Sequence, residues 1–492
     1  MPLKDNLRQP QIPIALFLIS ALAFALRIYQ LDTESLWLDE VLSVGLASMD
    51  ILSAIRTLPG NYVHPPFYFI ILHIWSRLVG QSEFSLRFLS ALFGTLTTAM
   101  TYKLARALFD RRTALLSGIL LALCPYHVYY SQETRMYTLA TFLGLVGACC
   151  FFQALERRDG AFWTGFVVCS VLGLYTHYYT LFLLLFENLF FLSLIIVCRQ
   201  YRCSFKAWLL AQLAVFCLYL PWLPALLVQS TGDNSNWIKA LPPGVYLLAT
   251  LIAYFVTPDP ERTLFLLVGS FGVIFPVIFG AIGARIAENR QGLSFPLGKN
   301  RLYVLAYLVI PFLAAYAASF LIKPILVNRY LVICVPAACI LLAYGLMLLR
   351  PKFLALLLSF ILGWTMIVYL DGIYQTTNRE DWKSAARYLS TRIQRDDLIG
   401  FNAGYARLPF YYYYGKEGQL NEITLSEVSE NSSSIAGKTT HLGQRIWIII
   451  SLGAENIDEP HTLETFRQRA PHSKLLLDEE FTGVEVLLFA LN

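Results

Sequence analysis

Apolar residues form long, almost uninterrupted runs over the first three quarters of the chain. One run lies near the amino terminus, from Ile12 to Ile28. Ten later runs are each long enough to cross a bilayer as a helix, which takes about 20 residues. They lie at about 85–108, 113–130, 136–155, 161–176, 180–198, 207–229, 263–284, 302–321, 330–349 and 353–370. The pattern therefore predicts a bundle of eleven transmembrane helices.

Two further apolar stretches, Phe67–Val79 and Val245–Val256, are too short to span, and we expect interfacial or re-entrant helices there. The first run follows two basic residues, as the apolar part of a secretory signal would. The segment Leu31–Glu40 after it is acidic and bulky and offers no small-residue cleavage site. We therefore predict that Ile12–Ile28 is retained as the first transmembrane helix.

The distribution of basic residues assigns each connection to one side of the membrane. Basic residues are concentrated in connections such as Arg111-Arg112, Arg157-Arg158 and Arg350-Pro351-Lys352, and are sparser on the opposite side. Because cytoplasmic loops carry the excess of Lys and Arg, the amino terminus is predicted to be cytoplasmic. With eleven spans, the carboxyl terminus is then external.

Beyond about residue 371 the apolar runs shorten and helical and strand-like segments alternate. Helical spacing covers Asp381–Ile393 and Thr462–Arg469. Strand-like runs cover Asp397–Asn402, Arg445–Ser451 and Val484–Leu491. The chain is thus predicted to be mainly α, with a transmembrane domain at 1–370 and a small external α/β domain at 371–492.

The composition excludes an ordinary soluble globular protein. Hydrophobic residues make up 57% of the chain and charged residues 14%, whereas soluble domains carry about a quarter charged residues. All nine cysteines precede residue 371, in apolar segments or short loops, so no disulfide framework is predicted. The sequence has neither zinc-type Cys/His spacing nor a P-loop, which argues against a nucleotide-driven mechanism.

The acidic pair Asp39-Glu40 is the sharpest candidate for chemistry. It follows Trp37-Leu38 just beyond the predicted outer end of the first helix. Neighbouring residues on a helix point in different directions, so the two carboxylates do not easily share one reacting centre. We predict that one faces a cavity while the other orients a loop, with Glu133 as the second carboxylate of a working site. Solvated acids beside an interfacial Trp are the alternative interpretation.

Several motifs together resemble the membrane-embedded GT-C glycosyltransferases. They are Asp39-Glu40, His64-Pro65-Pro66, Glu83 with Arg87, and Gln132-Glu133-Thr134-Arg135-Met136-Tyr137. The likeness is strongest to the bacterial relatives of protein O-mannosyltransferases and lipid A aminoarabinose transferases. It covers roughly residues 10–370, above all 35–180. His64 stands where the aminoarabinose transferases have a lysine, and Gln132-Glu133 replaces their aspartate-centred pattern, so donor and acceptor identity do not carry over.

The resemblance implies transfer of a sugar from a polyprenyl monophosphate carrier to an acceptor hydroxyl or phosphate, with inversion at the anomeric carbon. A carboxylate within hydrogen-bond reach accepts the proton of an attacking hydroxyl, and Asp39 is the predicted base. Arg329 is the leading candidate to stabilise the departing phosphate. Further candidates to bind the donor's phosphate or sugar are Arg87, Arg135, His64, Tyr137, His177, Tyr178 and Tyr330, with Tyr179 as a weaker one.

Each donor-binding candidate also has a structural explanation. Arginines at helix ends snorkel or pair with nearby acids, here Glu83 and Glu133. Histidines and tyrosines at loop positions are typical of the aromatic belt at a membrane interface. No metal or other cofactor is predicted, since arginines suffice for a monophosphate leaving group. The alternative is a divalent ion held by Asp39, Glu40, Glu133 and His64.

The expected partners are a polyprenyl-phosphate-linked sugar donor, a glycan, lipid or protein acceptor, and membrane lipids, with no nucleic acid. The expected location is a bacterial plasma (inner) membrane. Two other functions stay open. A flippase or transporter of the linked glycan would place ionisable residues near the bilayer midplane, often in repeated halves. A transferase of whole glycans would use the same kind of carrier.

Overall fold

The computed structural model describes most of the chain. The described residues are 14–232, 298–375, 379–415, 420–424, 445–452 and 473–490, together with 238, 252–255, 273–274, 276–278 and 466. Most of the predicted span at 263–284, of the predicted interfacial helix Val245–Val256 and of the predicted helix Thr462–Arg469 lies outside them. The chain divides into two compact units. The membrane unit comprises Met1–Leu31 and Ala47–Ile373, and the C-terminal unit comprises residues 32–46 and Tyr374–Asn492.

The described residues are mainly helical. In chain order the helices are α1 (Ile14–Ile28), α2 (Leu38–Ser48), α3 (Ile51–Asn61), α4 (Phe67–Val79), α5 (Glu83–Leu108), α6 (Arg111–Leu123), α7 (Pro125–Ser131), α8 (Tyr137–Arg157), α9 (Gly160–Leu174), α10 (Thr180–Val197), α11 (Phe205–Tyr219), α12 (Leu223–Thr231), α13 (Lys299–Leu321), α14 (Val335–Leu348), α15 (Lys352–Gln375), α16 (Trp382–Ser390) and α17 (Arg407–Tyr414). Short 3₁₀ turns at Arg199–Ser204, Leu220–Trp222, Asn328–Cys334 and Gly404–Ala406 connect some of them.

Six described segments are long and apolar enough to cross a membrane. They are Tyr137–Arg157, Thr180–Val197, Arg199–Thr231, Lys299–Leu321, Asn328–Leu348 and Lys352–Gln375. The pair formed by α6 and α7, bent by 57°, makes a seventh if it is counted as one span. The helical bundle is therefore confirmed, and the predicted short helix Phe67–Val79 is observed as α4.

Helix α15 shows why a bilayer is needed around the bundle. Phe353, Leu356 and Phe360 lie along one side of this helix and are 67%, 72% and 70% exposed. Leu362 and Met366 of the same helix are fully buried. An apolar face of this size is unfavourable in water and favourable against lipid, because lipid tails are as apolar as the side chains.

The bend between α6 and α7 has a local cause. Pro125 has no N–H, so it cannot donate to the carbonyl of Leu121, four residues earlier. The buried guanidinium of Arg27 donates to that oxygen at 3.1 Å and to the oxygen of Ala122 at 3.3 Å. It also contacts Nδ1 of His127 at 3.0 Å. We call Arg27 and His127 the bend clamp, because Arg27 donates to main-chain oxygens at the bend and His127 contacts the Arg27 guanidinium.

The C-terminal unit contains a five-stranded mixed sheet. Its strands are β1 (Leu398–Phe401), β2 (Asn421–Thr424), β3 (Arg445–Ser451), β4 (Lys474–Phe481) and β5 (Val484–Ala490), in the order β2-β1-β3-β5-β4. β1 pairs in parallel with β2 and β3, while β5 is antiparallel to both β3 and β4. The central strand β3 is buried on both faces, as its unbroken apolar run predicts. The small sheet domain predicted at the carboxyl end is thus confirmed.

Two strands were not predicted from the sequence. β4 reads KLLLDEEF, which lacks strict alternation because a bulge lies between Leu475 and Leu477. β2 is four residues long and pairs only at one edge. Both are edge strands, whose side chains are not selected by burial on two faces.

Candidate functional site

Five aromatic rings from four separate segments of the membrane unit pack together. We call His64, Tyr137, His177, Tyr179 and Tyr330 the ring cluster. His177 lies at its centre, with ring centroids 4.7 Å from Tyr330, 5.3 Å from His64, 5.4 Å from Tyr179 and 6.2 Å from Tyr137. These separations are those of packed aromatic pairs. The structure thus brings together four of the predicted donor-binding residues, with Tyr179 as a fifth member.

Loops at helix ends carry these rings, and main-chain hydrogen bonds join the loops. Pro65 and Pro66 keep the chain after His64 from entering α4 before Phe67. The N–H of Phe67 donates to the oxygen of Tyr175 at 2.9 Å, which ties the His64 loop to the turn that carries His177. The hydroxyl of Tyr179 donates to the oxygen of Ile325 at 2.7 Å, which holds the segment leading to Tyr330.

The turn between α9 and α10 is tight because of a glycine. The N–H groups of Thr176 and His177 both donate to the oxygen of Gly173, at 3.0 and 2.9 Å. A Cβ atom on Gly173 would lie 2.7 Å from Cγ2 of Thr180, closer than side chains tolerate. A residue without a side chain therefore allows the turn to place His177 inward.

Two arginines lie beside the ring cluster. The Cζ atom of Arg135 is 5.8 Å from the ring centroid of Tyr137, and that of Arg329 is 5.8 Å from the ring centroid of Tyr330. Both separations fall within the range of cation–π attraction. The charges of both arginines also act on His64 and His177. The cluster is therefore a cationic site lined by aromatic faces.

Both histidines are neutral in this environment. Burial, with the nearby charges of Arg135 and Arg329, lowers the pKa of His177 to about 3. Burial together with Arg135, His177 and Arg329 holds the pKa of His64 well below its usual range. A charged imidazole would lose its hydration at these positions and would be repelled by the two arginines. The positive charge of the site thus comes from the arginines alone.

One hydrogen bond fixes the tautomer of His177. Nδ1 of its ring accepts the N–H of Tyr179 at 3.2 Å, so the ring proton is assigned to Nε2. His177 is 3% exposed, and within the described part of the chain Nε2 has no hydrogen-bond acceptor. A buried donor of this kind costs free energy unless a ligand accepts its hydrogen bond.

The turn that carries Arg135 also carries Glu133. Glu133 is 1% exposed, and its main-chain oxygen accepts the N–H of Arg135 at 2.7 Å. The side chain of Gln132 donates to the oxygens of Arg27 and Tyr29, which anchors the start of this turn. Tyr130 lies within Coulombic range of both Glu133 and Arg329. Glu133 is therefore a buried carboxylate near the cationic site, and its chemical role stays a prediction.

Two predicted donor-binding residues make hydrogen bonds to other parts of the membrane unit. Arg87 is buried and donates to the oxygen of Leu31 at 3.0 Å. The hydroxyl of Tyr178 donates to Gln229 and accepts Nε1–H of Trp222 at 3.0 Å. These contacts give both residues a structural role, and the structure does not place them in the ring cluster.

The acidic pair Asp39-Glu40 belongs to the C-terminal unit, within its segment 32–46. Glu40 is fully buried, and its Oε2 lies 3.8 Å from Nη1 of Arg379. Asp39 is partly exposed in the first turn of α2. Arg379 was not singled out in the sequence, because nothing local to an arginine indicates a partner more than three hundred positions away.

An apolar cavity of about 780 Å³ in the membrane unit is lined in part by residues of the same loops. Its lining includes Pro66 and Phe67, which follow His64, and Tyr175, which precedes His177 by two residues. Side chains from α3, α4, α9, α12 and the Leu220–Trp222 turn also line it, and Arg56 is the one charged residue among the described lining residues. The loops that carry the two histidines thus also form one wall of a groove suited to an apolar chain.

No metal site is formed by the described residues. Among them, no group of three or more His, Cys, Asp or Glu side chains is arranged to hold an ion. Asp39, Glu40, Glu133 and His64 form no such group. The expectation that no metal is required stays a prediction.

Comparisons with known proteins define the class of the chain. Residues 63–224 match the family model described as dolichyl-phosphate-mannose-protein mannosyltransferase. This range includes His64, Arg135, Tyr137 and His177. No curated protein sequence matches the chain significantly. The fold, this match and the structural likenesses described next confirm the resemblance to the membrane-embedded GT-C glycosyltransferases.

Three solved structures share the fold over nearly the whole chain. ArnT from Cupriavidus metallidurans matches in the apo state with a TM-score of 0.59 at 14% identity, covering 96% of this chain and 97% of ArnT. The same protein bound to undecaprenyl phosphate matches with a TM-score of 0.60 at 15% identity and the same coverage. The oligosaccharyltransferase of Archaeoglobus fulgidus in the apo form matches with a TM-score of 0.60 at 12% identity, covering 97% of this chain and 74% of that one. The chain is therefore a multi-pass integral membrane protein with the GT-C fold.

Proposed function

We propose that this protein is a glycosyltransferase that moves a sugar from a polyprenyl monophosphate carrier to an acceptor hydroxyl or phosphate, inverting the anomeric carbon. The proposal rests on one observation, which is that the same loops contribute residues to two neighbouring features. One is a buried cationic cluster of rings, and the other is an apolar groove. A lipid-linked sugar phosphate needs a site for its charged head beside a site for its apolar chain.

The ring cluster suits the head group. Arg135 and Arg329 supply two positive charges, and charge-assisted hydrogen bonds to phosphate are about twice as strong as neutral ones. Nε2–H of His177 supplies a neutral donor that needs an acceptor. Aromatic faces such as those of Tyr137 and Tyr330 pack well against the apolar face of a sugar ring. The structure of ArnT from Cupriavidus metallidurans bound to undecaprenyl phosphate adds support through its shared fold.

The apolar groove suits the carrier chain. Its lining is almost entirely apolar, with Ile55, Ile70, Leu172 and Val228 among its side chains. Burial of apolar surface contributes roughly 25 cal/mol per Å². A few isoprene units in this groove therefore contribute several kcal/mol to binding. Binding energy from this remote part of the donor is then available to orient the sugar.

In the proposed reaction the acceptor oxygen attacks the anomeric carbon of the donor. A carbon–oxygen bond forms there while the bond from that carbon to the phosphate oxygen breaks, and polyprenyl phosphate leaves. Asp39 accepts the acceptor's proton, and Arg329, with Arg135, stabilises the charge that develops on the phosphate. Glu40 and Glu133 stay assigned to the catalytic region, with Glu133 as its second carboxylate.

The proposal also includes the topology. We place the amino terminus in the cytoplasm, eleven spans in a bacterial plasma membrane, and the C-terminal unit and the reaction on the external face. The six apolar segments found in the described residues and the excess of basic residues on one side support this arrangement. The sugar is a hexose or a pentose, and the acceptor is a glycan, a lipid or a protein.

The test uses the full chain in nanodiscs, supplied with radiolabelled polyprenyl-phosphate hexose and with membrane extract as the source of acceptor. Asp39→Asn is expected to reduce transfer by about 10²- to 10⁴-fold, the contribution of a general base. Donor binding, measured separately by retention of the labelled lipid, is expected to be unchanged. Asp32→Asn is the matched control, because Asp32 is an exposed aspartate in the same segment.

The outcomes separate the proposal from its alternatives. Wild-type protein that moves the labelled lipid between leaflets without transferring sugar is a flippase. Transfer that requires an oligosaccharide-linked carrier and fails with a monosaccharide-linked one indicates a whole-glycan transferase. Either result overturns the proposal, and so does full activity in Asp39→Asn.

A further inference from the structure

The segment that carries Asp39 is bound by groups at two places in the C-terminal unit. The hydroxyl of Ser35 donates to the main-chain oxygen of Glu380 at 2.6 Å. The N–H of Leu36 donates to the hydroxyl oxygen of Tyr413, on α17, also at 2.6 Å. These bonds fix the main chain just before α2 begins. They join residues more than three hundred positions apart in sequence.

An ion-pair pattern fixes the first turn of α2 itself. Nε of Arg379 lies 3.5 Å from Oε2 of Glu34, and Nη1 lies 3.8 Å from Oε2 of Glu40. The side chain of Arg379 is 5% exposed, and that of Glu40 is fully buried. A buried charge is costly unless it is paired, so Glu40 has one favourable orientation. Successive side chains on a helix are about 100° apart, so fixing Glu40 inward sets the direction of Asp39.

The groups that hold this segment are themselves anchored to the sheet. The carboxylate of Glu380 accepts Nε1–H of Trp382 at 2.9 Å and the hydroxyl of Ser451 at the end of β3. Trp382 is fully buried in the core of the unit. The N–H of Asp381 donates to the oxygen of Thr482 in the β4–β5 turn at 2.8 Å. The two residues that follow Arg379 in the chain are therefore hydrogen-bonded to the sheet and its turn.

We propose that the C-terminal unit orients the Asp39 carboxylate for proton transfer, with Arg379 as the principal positioning residue. The inference rests on the proposed function, in which Asp39 accepts the proton of the acceptor. It assigns the sheet domain a role in the reaction itself. Arg379 touches no substrate in this role; it acts through Glu34, which precedes α2, and Glu40, which lies in the first turn of α2.

The activity test compares three variants of the full chain in nanodiscs. Arg379→Gln is expected to reduce kcat by about 10- to 100-fold, because small displacements of a catalytic group have effects of this size. KM for the polyprenyl-phosphate hexose is expected to stay within about twofold of the wild-type value, because Arg379 does not contribute to binding of the donor. Arg379→Lys keeps the positive charge but loses the planar guanidinium that contacts both acids, and it is expected to recover part of kcat.

The matched control is Arg445→Gln. Arg445 also pairs with a buried acid of the same unit, since its Nη2 lies 3.2 Å from Oδ2 of Asp397. It begins β3, whereas Ser451 ends it, about 20 Å away at 3.3 Å per residue. This variant is expected to lower stability without changing kcat per folded molecule. An equal loss of kcat in both variants overturns the inference, as does an unchanged kcat in Arg379→Gln.

A second measurement does not depend on activity. Hydrogen exchange of the main-chain amides of residues 35–46 is expected to accelerate in Arg379→Gln and not in Arg445→Gln. Unchanged exchange in Arg379→Gln overturns the inference whether or not the wild type transfers sugar. Normal protection of this segment in a wild type that transfers no sugar overturns the proposed function alone.

Discussion

The membrane unit holds two groups in which arginines lie beside buried histidines, and they differ in what surrounds the charge. In the bend clamp, Arg27 donates to the oxygens of Ala23, Leu121 and Ala122 and contacts His127. In the ring cluster, Arg135 and Arg329 lie beside aromatic and imidazole rings carried by loops. In the bend clamp, the arginine donates hydrogen bonds to main-chain oxygens of the fold. In the ring cluster, cationic and N–H donor groups lie close together.

This difference shows that a buried arginine is not in itself a sign of a ligand site. The contacts of Arg27 follow from one proline in α7, and no ligand is needed to explain them. The ring cluster draws its members from four separate segments of the chain, and it includes the unmatched Nε2–H of His177. We infer that loss of the clamp weakens the fold, whereas loss of a cluster arginine weakens binding of the donor.

Among substitutions in these two groups, the largest expected effect is that of Arg329→Gln. A charge-assisted hydrogen bond contributes about 1.5–3 kcal/mol, so kcat/KM is expected to fall by about 10- to 100-fold. The free energy of unfolding is expected to fall less than in a variant of the bend clamp, because Arg329 is only partly buried whereas Arg27 is fully buried. Transfer kinetics and thermal unfolding of the same preparation measure the two quantities. A large loss of stability with normal kcat/KM contradicts the comparison.

Arg27→Gln is expected to show the opposite pattern. The shorter side chain does not reach the oxygens of both Leu121 and Ala122, and a buried acceptor without a donor costs about 1–3 kcal/mol. The yield of folded protein and the unfolding temperature should fall, while kcat per folded molecule stays near the wild-type value. Arg106→Gln, in the last turn of α5, is the control for loss of a positive charge. A variant that folds normally but binds the donor poorly would place Arg27 in the site.

The sequence predicts the helical architecture well because apolar runs of span length have few alternative structures in a membrane. It also predicts most members of the ring cluster, since histidines, tyrosines and arginines at loop positions are unusual in so apolar a chain. It does not predict that His64 and His177 are in contact, because their separation of more than a hundred positions carries no periodic signal. It also places segment 32–46 with the membrane domain, whereas the compact units group it with the sheet domain.

A smaller effect tests the tautomer of His177. In His177→Gln the side-chain amide places its N–H near the position of Nε2, whereas in His177→Asn the amide matches Nδ1 and does not reach that position. We expect His177→Asn to weaken donor binding by about tenfold, the value of one hydrogen bond to a charged group, and His177→Gln to recover much of it. Binding of labelled polyprenyl-phosphate hexose measures the difference. Equal affinities in the two variants mean that Nε2–H does not contact the donor.

The smallest expected effect is that of pH on donor affinity. With the pKa of His177 at about 3 and that of His64 well below its usual range, both rings stay neutral from pH 5.5 to 7.5. The donor's phosphodiester keeps one negative charge over this range, so its affinity should not change with pH, and a severalfold gain at pH 5.5 would mean that a histidine is protonated in the site.

The free energy of unfolding, in contrast, is expected to depend on pH. The unfolded chain takes up protons on these histidines below about pH 6.5 and the folded chain does not, so their contribution is complete above pH 6.5 and is lost as pH falls. His177→Gln removes one such proton, so the stability of this variant should decline less steeply than that of the wild type between pH 6.5 and 5, by up to about 1.4 kcal/mol per pH unit. Thermal unfolding of both proteins at matched pH values measures that difference in slope, and parallel curves would show that His177 is equally protonated in the folded and unfolded chains.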